Sequence, residues 1–467
     1  MLFSSISFLY YFLPAVVLLY FLVPRRWKNS VLLLSSLFFY FYGEQAYTLI
    51  MLAATALGYI HGLLIDRYRG RRAAKVFLVS SVVTNLLTLG FFKYTDFFIT
   101  NINAVTGSSI GLLKIALPIG ISFYIFQILS YTIDVYRGDA PVQRSFINLA
   151  TYVSLFPQLI AGPIVRYTSV AEALETRTHS FENFATGSTR FIIGLSKKVL
   201  IANVLGELCG IFRDSNEKSI LFYWIYAIAF CLHVYFDFSG YSDMAIGLGR
   251  IFGFHFNENF SYPFISKSVS EFWRRWHISL GSWFRDYVYI PLGGNRVSWL
   301  KWVRNVLVVW FLTGFWHGAD WTFIVWGLYF AFFLMLEKFF LSRLLQKLPA
   351  FISHIYVLLV IAVSFVIFNA DGMGQAISDI AGLFGGTSVP LYNAHTLYYL
   401  RSYAVVIIIA VIGATPLIKN TVLRLKEKTA WNRVLNAAEP VMQLCLLVAV
   451  TAYLVDGSFN PFLYFRF

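Results

Sequence analysis

The placement of His317 in this sequence suits proton transfer. It stands in Gly314-Phe315-Trp316-His317-Gly318, between the apolar runs 305–315 and 321–336. A neutral imidazole in a dry site is a good general base, and an ionisable group at that depth is costly enough to need a reason. The bland reading is a core histidine hydrogen-bonded to a carbonyl. A second set is His233 and Asp237, four residues apart on another apolar run, followed by Asp243 in Phe238-Ser239-Gly240-Tyr241-Ser242-Asp243. Those three residues suit a proton or ion relay, or a buried structural hydrogen bond. His61, His179, His255, His354 and His395 belong to no constellation. Cys209, Cys231 and Cys445 lie within or beside apolar stretches, and no pair has disulfide or zinc spacing. No metal site is expected. No nucleophile elbow, phosphate loop or dinucleotide fingerprint occurs.

The segment 237–304 is too polar for a simple span. It carries Lys267, Glu271, Arg274, Arg275, His277, Arg285 and Asp286, interleaved with Trp, Tyr and Phe. Ser268 and Glu271 fit a capping box. Phe272, Trp276, Leu280, Trp283 and Tyr287 then recur at helical spacing, which predicts one helix ended by Pro291, Gly293 and Gly294. An amphipathic, cation-rich helix of this kind lies at an interface or dips in as a re-entrant element. It is either a membrane-surface helix with snorkelling arginines or the wall of a pocket for a polyanionic donor.

Composition places these residues in a bilayer. Of 467 residues, 58% are hydrophobic and 13% charged, where a soluble domain carries about 25% charge. So few charges cannot cover a soluble surface of this size, and so apolar a chain is not intrinsically disordered. The expectation is an all-α integral membrane protein with roughly 10–12 spanning helices at about 20 residues each. Lys and Arg number 37 against 23 acidic residues, for a net charge of +14. That excess reads as cytoplasmic loops rather than nucleic-acid binding.

The placement of the charges predicts a topology. Residues 1–24 are uncharged and Arg25, Arg26 and Lys28 follow, so this is a first span with an outside N-terminus rather than a secretory signal. Further apolar runs lie at 29–43, 45–65, 76–92, 97–113, 115–133, 145–165, 219–236, 305–319 and 321–336. The run 97–113 holds Asn101, Asn103 and Thr106 and reads as partly loop. Runs 351–370, 402–418 and 441–455 close the chain, with Lys419, Arg424, Lys426, Lys428 and Arg433 marking the inside between the last two. Both termini then face the exterior, which requires an even number of full spans.

Several segments in order resemble the membrane-bound O-acyltransferase (MBOAT) family. They are Ser122-Phe123-Tyr124-Ile125-Phe126-Gln127-Ile128-Leu129-Ser130-Tyr131, Phe156-Pro157-Gln158-Leu159-Ile160-Ala161-Gly162-Pro163, and the segment from Asp237 to Asp243. Glu271-Phe272-Trp273-Arg274-Arg275-Trp276-His277-Ile278-Ser279-Leu280, Arg285-Asp286-Tyr287 and Trp316-His317-Gly318 complete the set, which runs from about residue 1 to 340. Pro291-Leu292-Gly293-Gly294-Asn295-Arg296 is similar to the branch of alginate and peptidoglycan O-acetyltransferase membrane subunits. One departure is Phe330, where many relatives place a histidine after Trp326-Gly327-Leu328-Tyr329.

The resemblance implies a ring of helices around a thinned centre and a central funnel, with re-entrant elements. His317 matches the family's catalytic histidine and His277 its second motif histidine. Asp237, Asp243 and Trp316 are motif residues. The implied donor is a cytosolic acyl thioester, acetyl-CoA in the acetylating branch, with no bound cofactor. Lys267, Arg274 and Arg275 are phosphate partners by charge.

Residues 1–457 read as the membrane domain and 458–467 as an extracytoplasmic aromatic tail. The tail is an aromatic interface anchor or an acyl carrier. Phe462, Tyr464 and Phe467 resemble the terminal motif of the small partner protein in teichoic acid D-alanylation, whose tyrosine is proposed to carry the acyl group. A phenol with a pKa of about 10 can be activated by a histidine base, and its ester can pass the acetyl onward. The expected sequence of transfers is acetyl-CoA, Tyr464, a separate extracytoplasmic serine esterase-type acetyltransferase, and then a cell-envelope or exported polysaccharide. The setting is the cytoplasmic membrane of a bacterium. Two alternatives stand beside it: D-alanyl transfer from a carrier-protein thioester to teichoic acid, and a proton-coupled transporter using His233, Asp237, Asp243 and His317.

Overall fold

The computed structural model describes residues 2–160 and 162–457. The described residues form helices, turns and loops, with no strand among them. They fall into two compact units, Met1–Phe191 with Tyr241–Asn257, and Ile192–Gly240 with Glu258–Phe467.

The first unit contains α1 (Leu13–Leu22), α2 (Lys28–Glu44), α3 (Tyr47–Arg67), α4 (Arg72–Thr106), α5 (Ile121–Arg137), α6 (Phe146–Ser154), α7 (Phe156–Leu159), α8 (Tyr167–Glu175) and most of α9 (Phe181–Ser196). Helix α5 lies at its centre, buried without interruption from Ile121 to Thr132. Helix α3 approaches it closely because Gly58 and Gly62 leave room for Ile128 and Tyr131. A Cβ on Gly62 would stand 2.6 Å from the Tyr131 hydroxyl. Small residues at such crossings replace the hydrophobic drive that lipid does not supply.

The runs 76–92 and 97–113 are not two elements: α4 is a single helix of 35 residues. The polar side chains expected to open it are satisfied locally. Asn101 donates back to the Phe97 carbonyl at 2.7 Å, and Asn103 donates to the carbonyl and accepts from the N–H of Ile110, at 2.8 and 3.0 Å. The loop character begins only after Gly107, which ends the helix in the left-handed conformation, φ 69°. The run 145–165 does the opposite. It breaks into α6 and α7 at Leu155, with Pro157 in the first turn of α7.

The second unit holds the end of α9, a π-helical turn (Lys197–Ala202), α10 (Asn203–Asp214) and α11 (Ile220–Ile251) as far as Gly240, the rest of α11 being counted with the first unit. It continues with α12 (Val269–Arg275), α13 (Ile278–Phe284), α14 (Trp299–His317), α15 (Trp321–Leu336), α16 (Ser342–Leu345) and α17 (Ala350–Phe368). Helices α18 (Met373–Leu383), α19 (Ala394–Gly413), α20 (Leu417–Lys426) and α21 (Thr429–Val455) complete it. Its core is aromatic, with Phe212, Tyr226, Phe230, Trp276, Trp326, Phe365 and Phe368 among the buried residues.

Residues 237–251 depart from the expectation that 237–304 is too polar for a simple span, because α11 runs on through Asp237 and Asp243 to Ile251. Each carboxylate has a cation. Within the second unit Asp237 pairs with Lys198, at 1% and 2% side-chain exposure. Within the first unit Asp243 accepts from Arg190 Nε at 2.8 Å and Nη2 at 2.6 Å. A paired charge is tolerated at a depth that an isolated one is not. Breaking such a pair from one side costs about 3–5 kcal/mol. Lys198→Met is therefore expected to lower the unfolding midpoint in detergent sharply. Lys198→Met with Asp237→Leu should regain most of that loss, because the double variant leaves no orphan charge.

Among the described residues, seven helices are long and apolar enough to cross a membrane: Tyr47–Arg67, Arg72–Thr106, Ile220–Ile251, Trp321–Leu345, Ala350–Phe368, Ala394–Gly413 and Thr429–Val455. Phe8–Leu22 is a shorter apolar helix. Helices α2 and α5, at 17 residues each, stand for the expected runs 29–43 and 115–133.

Candidate active site

His317 is the last residue of α14, at the tip of a hairpin with α15. Two close approaches hold that hairpin. A Cβ on Gly314 would stand 2.2 Å from the Phe323 carbonyl oxygen, and one on Gly327 would stand 2.2 Å from that of Trp310. The turn is closed by Asp320, whose carboxylate accepts from the Thr322 N–H at 2.8 Å and caps α15. The imidazole is 8% exposed. It meets Trp316 and Trp326 edge-to-face with centroids 5.0 Å away, and Phe368 at 5.4 Å. Phe330 is buried against Trp273, Trp310 and Trp326 and is part of the same aromatic packing.

The cation-rich helix expected from Ser268 onward begins as read and then divides. Ser268 Oγ accepts from the Glu271 N–H at 3.0 Å, and the Glu271 carboxylate reaches back to the Lys267 N–H at 2.9 Å. Helix α12 stops at Arg275, Trp276 is extended, and His277 is left-handed with φ 45° and ψ 52° before α13 begins. A non-glycine residue in that region is strained. Asn259 secures it. Its side-chain oxygen accepts from the Ser279 N–H at 3.1 Å and the Ser279 hydroxyl at 2.9 Å, and lies 3.3 Å from His277 Nδ1. A backbone N–H can only donate, so that atom is the amide oxygen. It accepts a hydrogen bond from His277 Nδ1–H, which leaves Nε2 as the basic nitrogen. His277 is 2% exposed, and among the described residues Nε2 has no hydrogen-bond partner.

The two motif histidines share one neighbour. Trp316 lies 5.0 Å from His317 and 6.1 Å from His277, centroid to centroid. Phe238 closes on His277 from α11 at 4.6 Å. The structure therefore brings His277, Trp316 and His317 together within the second unit. It does not add His233, whose Nδ1 donates to the Ala202 carbonyl at 2.7 Å. Asp237 sits with Lys198, and Asp243 belongs to the first unit. Of the three candidate phosphate partners, Arg275 is bound to Glu271 at 2.9 Å and to the Ser261 carbonyl at 3.0 Å, while Lys267 and Arg274 are exposed. Phe462, Tyr464 and Phe467 lie outside the described residues.

Glu337 was not singled out in the sequence, and neither was Asn259. The buried Glu337 carboxylate accepts from the Ser270 N–H at 3.0 Å and the Ser270 hydroxyl at 2.8 Å, and also from the Val269 N–H. It thereby satisfies the first turn of α12, where orphan N–H groups favour a negative charge. The available signal was a carboxylate ending an apolar run of 16 residues. Asn259 carries no comparable signal, because its role depends on the strained turn it supports.

A largely buried imidazole between aromatic walls suits removal of a proton from a hydroxyl attacking an acyl carbonyl. Comparison with known proteins points the same way. The family model described as membrane-bound O-acyltransferase family matches residues 139–370. The "Probable alginate O-acetylase AlgI" of Azotobacter vinelandii is 38% identical over 100% of both chains. The "Peptidoglycan O-acetyltransferase" of Helicobacter pylori is 31% identical over 100% of this chain and 98% of its own. The "Teichoic acid D-alanyltransferase" of Bacillus subtilis is 31% identical but covers only 48% of this chain and 59% of its own.

Proposed function

Because the chain belongs to the membrane-bound O-acyltransferase family, and is accordingly a multi-pass membrane O-acyltransferase, we propose that it moves acetyl groups from cytosolic acetyl-CoA to an extracytoplasmic polysaccharide in a bacterial cytoplasmic membrane. The observation that carries this reading is that His277 and His317 both lie against the Trp316 ring. The full-length likeness to proteins named for alginate and peptidoglycan O-acetylation supports the acetyl donor and the glycan acceptor.

In the proposed reaction His317 takes the proton of the attacking hydroxyl. The oxygen adds to the thioester carbonyl, the carbon–sulfur bond breaks, and the CoA thiolate recovers the proton from the imidazolium. His277, held by Asn259 with Nε2 basic, is positioned to orient the reacting groups. The attacking hydroxyl is that of Tyr464, in a tail that faces the exterior. Acetyl-Tyr464 then surrenders the acetyl group to a separate serine esterase-type acetyltransferase, which esterifies the glycan. Lys267 and Arg274, exposed and cationic, are the proposed donor contacts.

The direct experiment is mass spectrometry of the C-terminal peptide after membranes are incubated with isotopically labelled acetyl-CoA. A labelled acetyl on Tyr464 is the expected result, and a peptide that never carries label rules the carrier out. The D-alanyl reading is weaker because its relatives match only half of the chain. A transporter would show flux driven by a proton gradient without any acetylated intermediate.

A further inference from the structure

We infer that the first unit carries a second binding site, for the phosphate of an anionic phospholipid, in a cavity of about 200 Å³ whose lining includes Arg25, Arg26, Lys28, Arg177 and Glu175. Four cations face one carboxylate there. Among the described residues none of the four forms an ion pair. Neutral groups hold them together instead. Arg25 donates to the Arg177 carbonyl at 3.3 Å, and Arg177 donates to the Ala173 carbonyl at 2.9 Å and to the Tyr20 hydroxyl at 3.0 Å. The Lys28 ammonium lies 4.4 Å above the Tyr20 ring, and His179 Nε2 is 2.8 Å from the same hydroxyl.

Like charges fixed this closely raise one another's cost. Burial, then Arg177 and Arg25, push Lys28 below the ordinary amine range. Burial, then Lys28 and Arg177, push His179 below the ordinary imidazole value. A bound phosphate removes that repulsion and accepts charge-assisted hydrogen bonds from the guanidinium groups. The cavity also presents an acceptor. Asn29 Oδ1 is buried and lacks a hydrogen-bond partner among the described residues, so it suits the hydroxyl of a glycerol headgroup.

The surroundings select a lipid over a soluble phosphate. The apolar helix α1 ends just before Arg25, and Leu19, Phe21, Leu22 and Trp27 are exposed around it. Exposed apolar and indole side chains beside a cationic cluster are the arrangement of a membrane–water interface. A soluble anion has no use for that apolar rim, whereas a phospholipid covers it with its acyl chains.

The test uses the full chain in nanodiscs of phosphatidylcholine with or without phosphatidylglycerol. By mass action the wild type should unfold several degrees higher with phosphatidylglycerol and keep it through detergent exchange. The double variant Arg25→Gln with Lys28→Gln should lose both effects while unfolding normally in pure phosphatidylcholine. An equal preference for phosphatidylglycerol in the variant overturns the site. Stabilisation of the wild type by millimolar inorganic phosphate in detergent, without any phosphatidylglycerol effect, overturns the lipid. Should the variant not fold, photo-crosslinking of phosphatidylglycerol to the wild type decides, with label expected on peptides spanning 22–29 and 173–179. Label confined to other segments refutes the inference.

Discussion

His317→Ala is expected to reduce transfer from labelled acetyl-CoA in membranes by about 10²–10⁴-fold, the usual contribution of a positioned general base. The expectation rests on placement. The imidazole ends α14 against Trp316, Trp326 and Phe368 and is 8% exposed. The same substitution leaves a gap in aromatic packing, so its unfolding midpoint must be measured beside its activity. A variant that unfolds like wild type yet transfers no acetyl assigns the loss to chemistry. Unchanged labelling would remove His317 from the mechanism altogether.

Tyr464→Phe should abolish polysaccharide acetylation in cells while leaving the protein's level in the membrane unchanged. The phenylalanine keeps the ring that an interface anchor needs and removes only the hydroxyl that an ester needs. The two readings of the tail therefore give opposite results. Acetylation that persists at the wild-type level makes the tail an anchor, and another hydroxyl must then receive the acetyl group. The prediction is independent of His317→Ala, because a blocked carrier can coexist with an intact base.

Much of the molecule was legible in its sequence because lipid is a demanding solvent. The scarcity of charge required membrane helices, and Ser268 with Glu271 marked the start of α12 by a local capping rule that the structure satisfies. Local rules failed where distant partners intervened. Asp237 and Asp243 fall in a segment that read as too polar for a simple span, yet α11 passes through both because Lys198 and Arg190 neutralise them from other segments. The stripe from Phe272 to Tyr287 had helical spacing throughout, yet the chain turns at His277. Spacing records which residues are buried, and two short helices can bury the same stripe.

By itself the sequence determined the solvent and the helical class, since both follow from composition, and the resemblance of its motifs singled out His277 and His317. Only the tertiary structure decided that His277 and His317 meet at Trp316 while His233 does not. The two motif histidines stand forty positions apart along the chain, and their meeting depends on a left-handed turn braced by Asn259 and a hairpin drawn tight at Gly314 and Gly327. Both are contacts between segments, and periodicity along one segment carries no record of them.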